Sequence, residues 1–575
     1  MKRIILMFIA LFLTINGFSQ LSNQTKPRSF SLDNIDYSKI ETFSVEEPNF
    51  EEINAQDLEA EKEFKLRRFG VIVPMNIDFY KNATKITTTE GNLYLMKITS
   101  KESKALTLYS SNFFIPEGGE LHLYSPNKTR YIGGFTSENN NDLKTFATEL
   151  IHGNEMIIEY FEPNFNTQAP RIEITEIGYA YRDVNNWEEE FQETINENIQ
   201  KSYEYGSSGS CNVNANCPEG NNFRNQQRGI LRIMVKISSW GMGWCSGSLV
   251  NNTSRDLKPY VLTAAHCVEE LSNDYYYSQF VFYFNYESPN CNNPLYESSI
   301  TTTRSLTGAS KIAIDPTYSS NGSDFLLLLL TNNVPQNYNA YWNGWNINNT
   351  SSSSGVSIHH PSGDIKKIST YNTPLVSVSY SSESPNINGT HWKVKWASTT
   401  TNYGITEGGS SGSSIFNQNG EIIGTLTGGY SSCTAPNEYK IDYYGKMSYH
   451  WQSNGLISSN RLSNWLNPNN YNLTNFHGDD YTTYLSINNI NNGNDIRTQT
   501  YPNPAKDVLN LSFENNNEDI RLEIYNQLGV KLLRETIKAN QNHKSINIEK
   551  LESGVYFIRY ISPSSSWSDK IIIEK

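Results

Sequence analysis

All six cysteines of the chain, Cys211, Cys217, Cys245, Cys267, Cys291 and Cys433, fall between residues 211 and 433. An even number of cysteines held in one segment of an exported chain implies three disulfides in one domain, and spacing alone leaves fifteen connectivities open. Export is read from the first residues: Lys2 and Arg3 precede an apolar run from Ile4 to about Ile15, with small residues Gly17 and Ser19 behind it. This is the pattern of a signal peptide over residues 1–19. No later apolar run is long enough to span a bilayer; Phe325 to Leu330 is too short. A zinc site is the competing reading of the cysteines, but the chain has no Cys-x-x-Cys and no His-Glu-x-x-His, so no metal and no cofactor are expected.

At 575 residues the chain calls for several modules. With 46 basic against 59 acidic residues its net charge is −13, which argues against nucleic acid as a partner. Part of the excess sits in the run Glu46, Glu47, Glu51, Glu52, Asp57, Glu59, Glu61 and Glu63, expected to be a solvated helix or linker.

From about 69 to 182, short alternating runs such as Leu93–Ile98, Glu120–Tyr124 and Met156–Tyr160, separated by turn clusters like Pro116-Glu117-Gly118-Gly119, predict a β-sandwich-like domain. It carries no catalytic constellation. Residues 185–200 are acidic and could be helical; the Gly/Ser-rich stretch ending at Gly209 reads as a boundary. The centre again alternates strands and turns, with strands expected at Gly229–Ile237, Tyr260–Thr263, Phe280–Phe284, Phe325–Leu330 and Glu421–Thr427, and a terminal helix near Arg461–Leu466. That pattern indicates an all-β barrel or sandwich. Residues 481–498 are an Asn-rich linker, and 499–575 form a last small β-sandwich with strands at Val508–Phe513, Arg521–Tyr525, Val555–Tyr560 and Lys570–Lys575.

Chemistry concentrates in the centre. Ser411, in Gly409-Ser410-Ser411-Gly412-Ser413, is flanked by glycines that let the backbone turn and bring the N–H groups of Gly409 and Ser411 to one point, as an oxyanion hole requires. A serine hydroxyl needs a base, and His266 ends the strand-like Val261–Ala265 just before Cys267. Asp324 stands at the mouth of an apolar strand, where its carboxylate needs a partner such as an imidazole N–H. The order His, Asp, Ser is that of the chymotrypsin-like serine peptidases.

The stretch from Gly209 to about Trp465 resembles the bacterial lysyl endopeptidases. The resemblance rests on Thr263-Ala264-Ala265-His266-Cys267, Ser210-Cys211-Asn212, Cys217-Pro218-Glu219-Gly220, Cys245–Thr253, Ile358-His359-His360-Pro361, Gly404–Glu407 and Gly428–Cys433. It implies a two-barrel chymotrypsin-like core over residues 206–480, with disulfides Cys211–Cys433, Cys217–Cys291 and Cys245–Cys267. It also implies a specificity pocket based on Asp442, assisted by Glu407, with Thr427, Gly428 and Gly429 contacting substrate. Trypsin's pocket acid would fall at Ile405, so the charge comes from Asp442 instead, which favours a compact ammonium. One departure is evident: the family's histidine before the Gly-Gly pair is Thr427 here, and the nearest aromatic partner is Tyr380.

The same resemblance implies that residues 20–205 are a propeptide, of a zymogen or as a folding assistant, removed after export with Lys201 as a processing site. The carboxy-terminal unit, with Tyr501-Pro502-Asn503-Pro504, Glu523-Ile524-Tyr525-Asn526 and Ser553-Gly554-Val555-Tyr556, resembles the type IX secretion sorting domain. That implies passage through the periplasm to the exterior or the cell surface. The expectation is a monomeric, secreted endopeptidase that cuts protein and peptide substrates after lysine and meets the export and sorting machinery. An arginine or dual specificity, or a non-catalytic surface binding protein, are the alternatives.

Overall fold

A computed structural model describes residues 25–575 apart from 34, 63–65, 167, 183, 185–207, 238–240, 269–273, 295–303, 318–321, 381–388, 482–496, 515, 527–529 and 564–565. The signal peptide, the acidic stretch 185–200, Lys201 and most of the Asn-rich linker lie outside the described residues.

The alternating runs of the amino-terminal region become two facing sheets. One contains Thr42–Ser44, Gly91–Thr99, Glu155–Pro163, Glu120–Tyr124 and Tyr131–Phe135 in that order, with Thr84–Thr87 paired to Gly91–Thr99. The other is built on Arg68–Asp78, Arg171–Ala180 and Ala105–Phe114. Met96, Ile98, Leu106, Leu108, Ile158 and Ile174 meet between them, the inward positions of a period-two pattern. The acidic run forms the helix Phe50–Lys62. It is not wholly solvated: Asp57 is buried and accepts from Arg68 Nε at 2.8 Å and from the Tyr181 hydroxyl at 2.6 Å.

The centre consists of two sheets, each with its own core. The first runs Arg304–Thr307, Val281–Phe284, Ile230–Ile237 and Gly241–Leu249, continuing through Tyr260–Thr263 and Leu326–Leu330 to Ala309–Ile314. The second runs Val213–Asn214, Lys367–Tyr371, Gly355–His359, Ser414–Asn417, Ile422–Gly429, Ile441–Lys446, His391–Lys395 and Val376–Val378. The terminal helix is only Ser463–Leu466, preceded by a helix at Met447–Gln452 that the sequence pattern does not single out. The first sheet is continuous with the amino-terminal region, because Gly241–Leu249 also pairs with Arg68–Asp78.

Three disulfides link Cys211 to Cys433, Cys217 to Cys291 and Cys245 to Cys267, the pairing that the resemblance implies. They span 222, 74 and 22 residues respectively. A cross-link that closes a longer loop removes more entropy from the unfolded chain. Replacing Cys211 and Cys433 together by serine should therefore destabilise the centre by about 5 kcal/mol, against about 3 for the Cys245–Cys267 pair. The shift of the urea midpoint measures this, and equal small shifts would refute the ordering.

The last unit stacks a three-stranded sheet, Arg497–Tyr501, Val508–Glu514 and His543–Asn547, on a four-stranded one from Lys531–Ile537, Ile520–Asn526, Gly554–Ile561 and Ser566–Ile573. Leu509, Leu511, Leu522, Ile524, Ile558 and Ile571 fill the space between them.

Candidate active site

Ser411 lies on a tight loop at the junction of the two central sheets. The loop is shaped by Ser410 N–H donating to Glu407 O at 2.9 Å, Ser413 N–H to Ser410 O at 2.9 Å and Gly412 N–H to Leu426 O at 3.0 Å. Gly409 and Gly412 have φ of 93° and 80°, in the left-handed region that glycine adopts at little cost. A side chain at Gly412 would also collide with Thr263, its Cβ 2.1 Å from the Thr263 Oγ1. The consequence is chemical. Among the described residues the N–H groups of Gly409 and Ser411 donate to nothing, whereas those of Ser410, Gly412 and Ser413 are all used. Two uncommitted donors beside a serine suit a developing oxyanion.

Buried polar contacts hold this loop rigid. Ser410 Oγ lies 2.8 Å from His359 Nδ1, and His359 Nε2 lies 2.9 Å from Ser369 Oγ. Burial pushes the His359 imidazole down to about 3, so it is a neutral bridge. Ser246 Oγ donates to Gly409 O at 2.8 Å and accepts from His360 N–H at 2.9 Å. The Ile-His-His-Pro string thus supports the loop, a role that the string itself does not signal.

His266 sits on the short turn Ala265–Cys267, clamped by the Cys245–Cys267 disulfide. Its Nδ1 is 2.7 Å from Asp324 Oδ2, and its backbone N–H donates to Asp324 Oδ1 at 3.0 Å. A carboxylate only accepts, so Nδ1 carries the proton and Nε2 is left as the acceptor that a base requires. The Asp324 side chain is 2% exposed and that of His266 19%, so the acid is shielded while the imidazole reaches solvent. Ser411 is tied to the strand Gly241–Leu249, its carbonyl accepting from Ser246 N–H at 2.8 Å, and the same carbonyl lies 3.8 Å from Cys267 Sγ on the His266 turn.

Asp324 itself has a φ of 62°, a strained value for a non-glycine residue. Asp315 holds it there, accepting from Asp324 N–H at 3.0 Å and from Ser323 N–H through the same oxygen. Ser323 Oγ meets His450 Nδ1 at 2.7 Å, and His450 Nε2 meets Thr425 Oγ1 at 3.0 Å. Neither Asp315 nor His450 carries a sequence signal.

Asp442 lies on the strand Ile441–Lys446, opposite Gly429. Its Oδ2 accepts from Trp396 Nε1 at 2.5 Å, Ser431 Oγ at 2.6 Å and Thr406 Oγ1 at 2.7 Å, and its Oδ1 only from Ser431 N–H at 3.3 Å. Burial raises its carboxyl above the ordinary 3.8, and these hydrogen bonds oppose the shift. Glycine at 429 permits the close approach, since a Cβ there would be 2.0 Å from Oδ1. Thr406 connects Asp442 to the loop that bears Ser411.

Glu407 is elsewhere engaged. Oε1 accepts from Gly209 N–H at 2.9 Å and Asn212 Nδ2 at 3.0 Å, and Oε2 from Ser362 Oγ at 2.9 Å. It fastens the segment entering Cys211 to the Ser411 loop rather than joining the contacts of Asp442. Thr427 Oγ1 is 3.0 Å from His391 Nε2, whose ring packs at 5.2 Å on Tyr380. So a histidine from another strand stands beside Thr427, with its imidazole pushed by burial to about 3. Tyr380 also lines Gly428, where a Cβ would be 3.0 Å from its hydroxyl. Among the described residues no group of three or more His, Cys, Asp or Glu side chains could hold a metal ion.

Ser411, His266 and Asp324 thus lie near the junction of the two central sheets. Residues 205–445 match the family described as "Lysyl endopeptidase, C-terminal domain", and residues 499–574 match "Secretion system C-terminal sorting domain". A lysyl endopeptidase of Pseudomonas aeruginosa is 30% identical over 253 residues, 42% of this chain and 50% of the relative. The chain thus spans about half the length of that curated relative. Among solved structures, a serine endoprotease from Yersinia pestis aligns with 16% identity over 40% of this chain and 61% of its own, at a TM-score of 0.24. A Glu endopeptidase in complex with MPD aligns with 15% identity over 42% and 92%, at a TM-score of 0.23.

Proposed function

We propose that the chain is a serine endopeptidase that cuts on the carboxyl side of lysine. The observation that carries the reading is the pair of uncommitted N–H donors at Gly409 and Ser411, on a loop tied to the hydrogen-bonded His266 and Asp324. Ser411 Oγ attacks the substrate carbonyl while His266 Nε2 takes its proton. Asp324 holds the tautomer and stabilises the imidazolium. The oxyanion is received by the Gly409 and Ser411 N–H groups. His266 then protonates the leaving amine, and water hydrolyses the acyl-enzyme by the same route in reverse.

Asp442 selects the side chain. Three donors already crowd its Oδ2, while Oδ1 accepts one long bond from Ser431 N–H and keeps the greater capacity for a further donor. A guanidinium fork needs both oxygens, whereas an ammonium is a point charge satisfied by one. Thr427, Gly428 and Gly429 form the edge along which the substrate backbone lies, and Glu407 acts by bracing the loop.

Asp442→Asn is expected to lower kcat/KM for a lysyl peptide by two to three orders of magnitude, about 3–4 kcal/mol for a buried charge left without its partner. Steady-state kinetics on matched lysyl and arginyl reporters reads this. Equal rates on both reporters in the parent enzyme would instead assign dual specificity. A pH dependence follows from the raised carboxyl of Asp442. Binding of butylammonium to the Ser411→Ala variant should weaken as pH falls through that raised value, because the protonated carboxyl no longer attracts a cation. Calorimetric titration across the acid range checks it, and pH-independent binding would count against Asp442.

The matched sorting domain fits export to the exterior or the cell surface. Residues 20–205 are proposed to be a propeptide removed after export, with Lys201 as a processing site, and the mature enzyme to act as a monomer.

A further inference from the structure

The cleft beside Ser411 has two halves. The acyl half holds Asp442, Gly428 and Gly429. The leaving-group half lies along the strand Gly241–Leu249, which reaches Ser411 through the Ser246 N–H bond to the Ser411 carbonyl. The chain's own amino-terminal region pairs with that strand.

Arg68 pairs with Gly243 and Gly70 with Met242, antiparallel. Leu66 is buried against Gly243 and shares a core with Ile237, Cys245 and Cys267. Arg67 lies over Gly408, next to Gly409: a Cβ at Gly408 would be 3.5 Å from both Cβ and Cδ of Arg67. Phe69 stacks on Trp244 with centroids 4.4 Å apart and planes 11° from parallel. Arg68 is anchored from behind by Asp57 Oδ1 at 2.8 Å and the Ile53 carbonyl at 3.1 Å.

Chain direction gives this contact its meaning. A substrate runs from the acyl half to the leaving-group half, so its residue numbers rise away from the nucleophile. The segment 66–70 does the same, because rising numbers take it from Gly243 to Met242, away from Cys245 and Ser411. β-Strand addition to the wall of a cleft is a common way for a peptide to be held there.

We propose that residues 66–70 occupy the leaving-group half of the cleft in the polarity of a substrate, so that the amino-terminal region keeps the enzyme shut until it is removed. This rests on the serine endopeptidase reading. Apolar burial of Leu66 and Phe69 supplies the hold, and Gly243 makes room for it. In the sequence the residue before Leu66 is Lys65, which lies outside the described residues.

The test uses the full chain and a lysyl peptide that extends four residues past the scissile bond. Hydrolysis by the full chain should be at least a hundredfold slower than by the same material after its amino-terminal region is gone. Leu66→Glu should raise the rate of the unprocessed chain at least tenfold and leave the processed rate unchanged. Phe69→Ala, which removes the stack on Trp244, should act in the same direction and serves if the first variant does not fold. An unprocessed chain as fast as the processed one, or latency that neither variant relieves, overturns the proposal. Labelling of the processed chain with a fluorophosphonate separates the two failures. Labelled Ser411 with no latency sinks the inhibition alone, and unlabelled Ser411 sinks the endopeptidase reading and this proposal with it.

Discussion

Ser411→Ala is expected to lower kcat on a lysyl peptide by about six orders of magnitude while leaving the fold intact. The residue is half-buried on a loop whose shape depends on the backbone of Ser410, Gly412 and Ser413, not on the Ser411 hydroxyl. Alanine therefore removes the proposed nucleophile without disturbing the two N–H donors. Substrate binding should persist, so KM or the dissociation constant of an uncut substrate changes little. A loss below about a hundredfold would mean that another group attacks the carbonyl.

Asp324→Asn is expected to cost about four orders of magnitude in kcat. The carboxylate receives His266 at two points, Nδ1 at 2.7 Å and the backbone N–H at 3.0 Å. An asparagine keeps the size but can present an NH₂ to Nδ1, which forces the proton onto Nε2 and leaves no base facing Ser411. The loss should be partly recovered at high pH, where hydroxide can take the Ser411 proton in place of the imidazole. Pre-steady-state acylation rates across pH would measure this. A small effect, independent of pH, would show that Asp324 only packs beneath the histidine.

The centre was legible in the sequence wherever a local string carried its chemistry. Thr-Ala-Ala-His-Cys marked His266, and the glycines around Ser411 marked a turn that the φ values of Gly409 and Gly412 bear out. Asp324 was readable from cost alone, as a carboxylate beside an apolar strand that had to find a partner. The supports were not readable. His450 meets Ser323 across 127 residues of sequence, and Asp315, although only nine residues before Asp324, stands in no string that singles it out. Glu407 misleads for a similar reason. Its position beside the Ser411 loop suggests a pocket acid, but its two oxygens are spent on Gly209, Asn212 and Ser362.

Strands followed the same division. Runs that are half-buried alternate and stand out, among them Val508–Phe513. The strand Gly241–Leu249 does not, because all nine of its residues are buried and four of its first seven are Gly or Ser, so neither alternation nor β-propensity marks it. That strand is also the one on which the amino-terminal region docks. A contact between two regions that share no sequence motif cannot be read from either alone.

On the proposed function, Ser411 and Asp442 together make a lysine-directed endopeptidase. The most direct measurement is mass spectrometry of a mixed protein digest made with the processed chain, run beside its Ser411→Ala variant. New termini that follow lysine and vanish in the variant are expected. Ser411-dependent termini that follow arginine equally often would contradict the role given to Asp442, and a digest identical in both samples would contradict the enzyme itself.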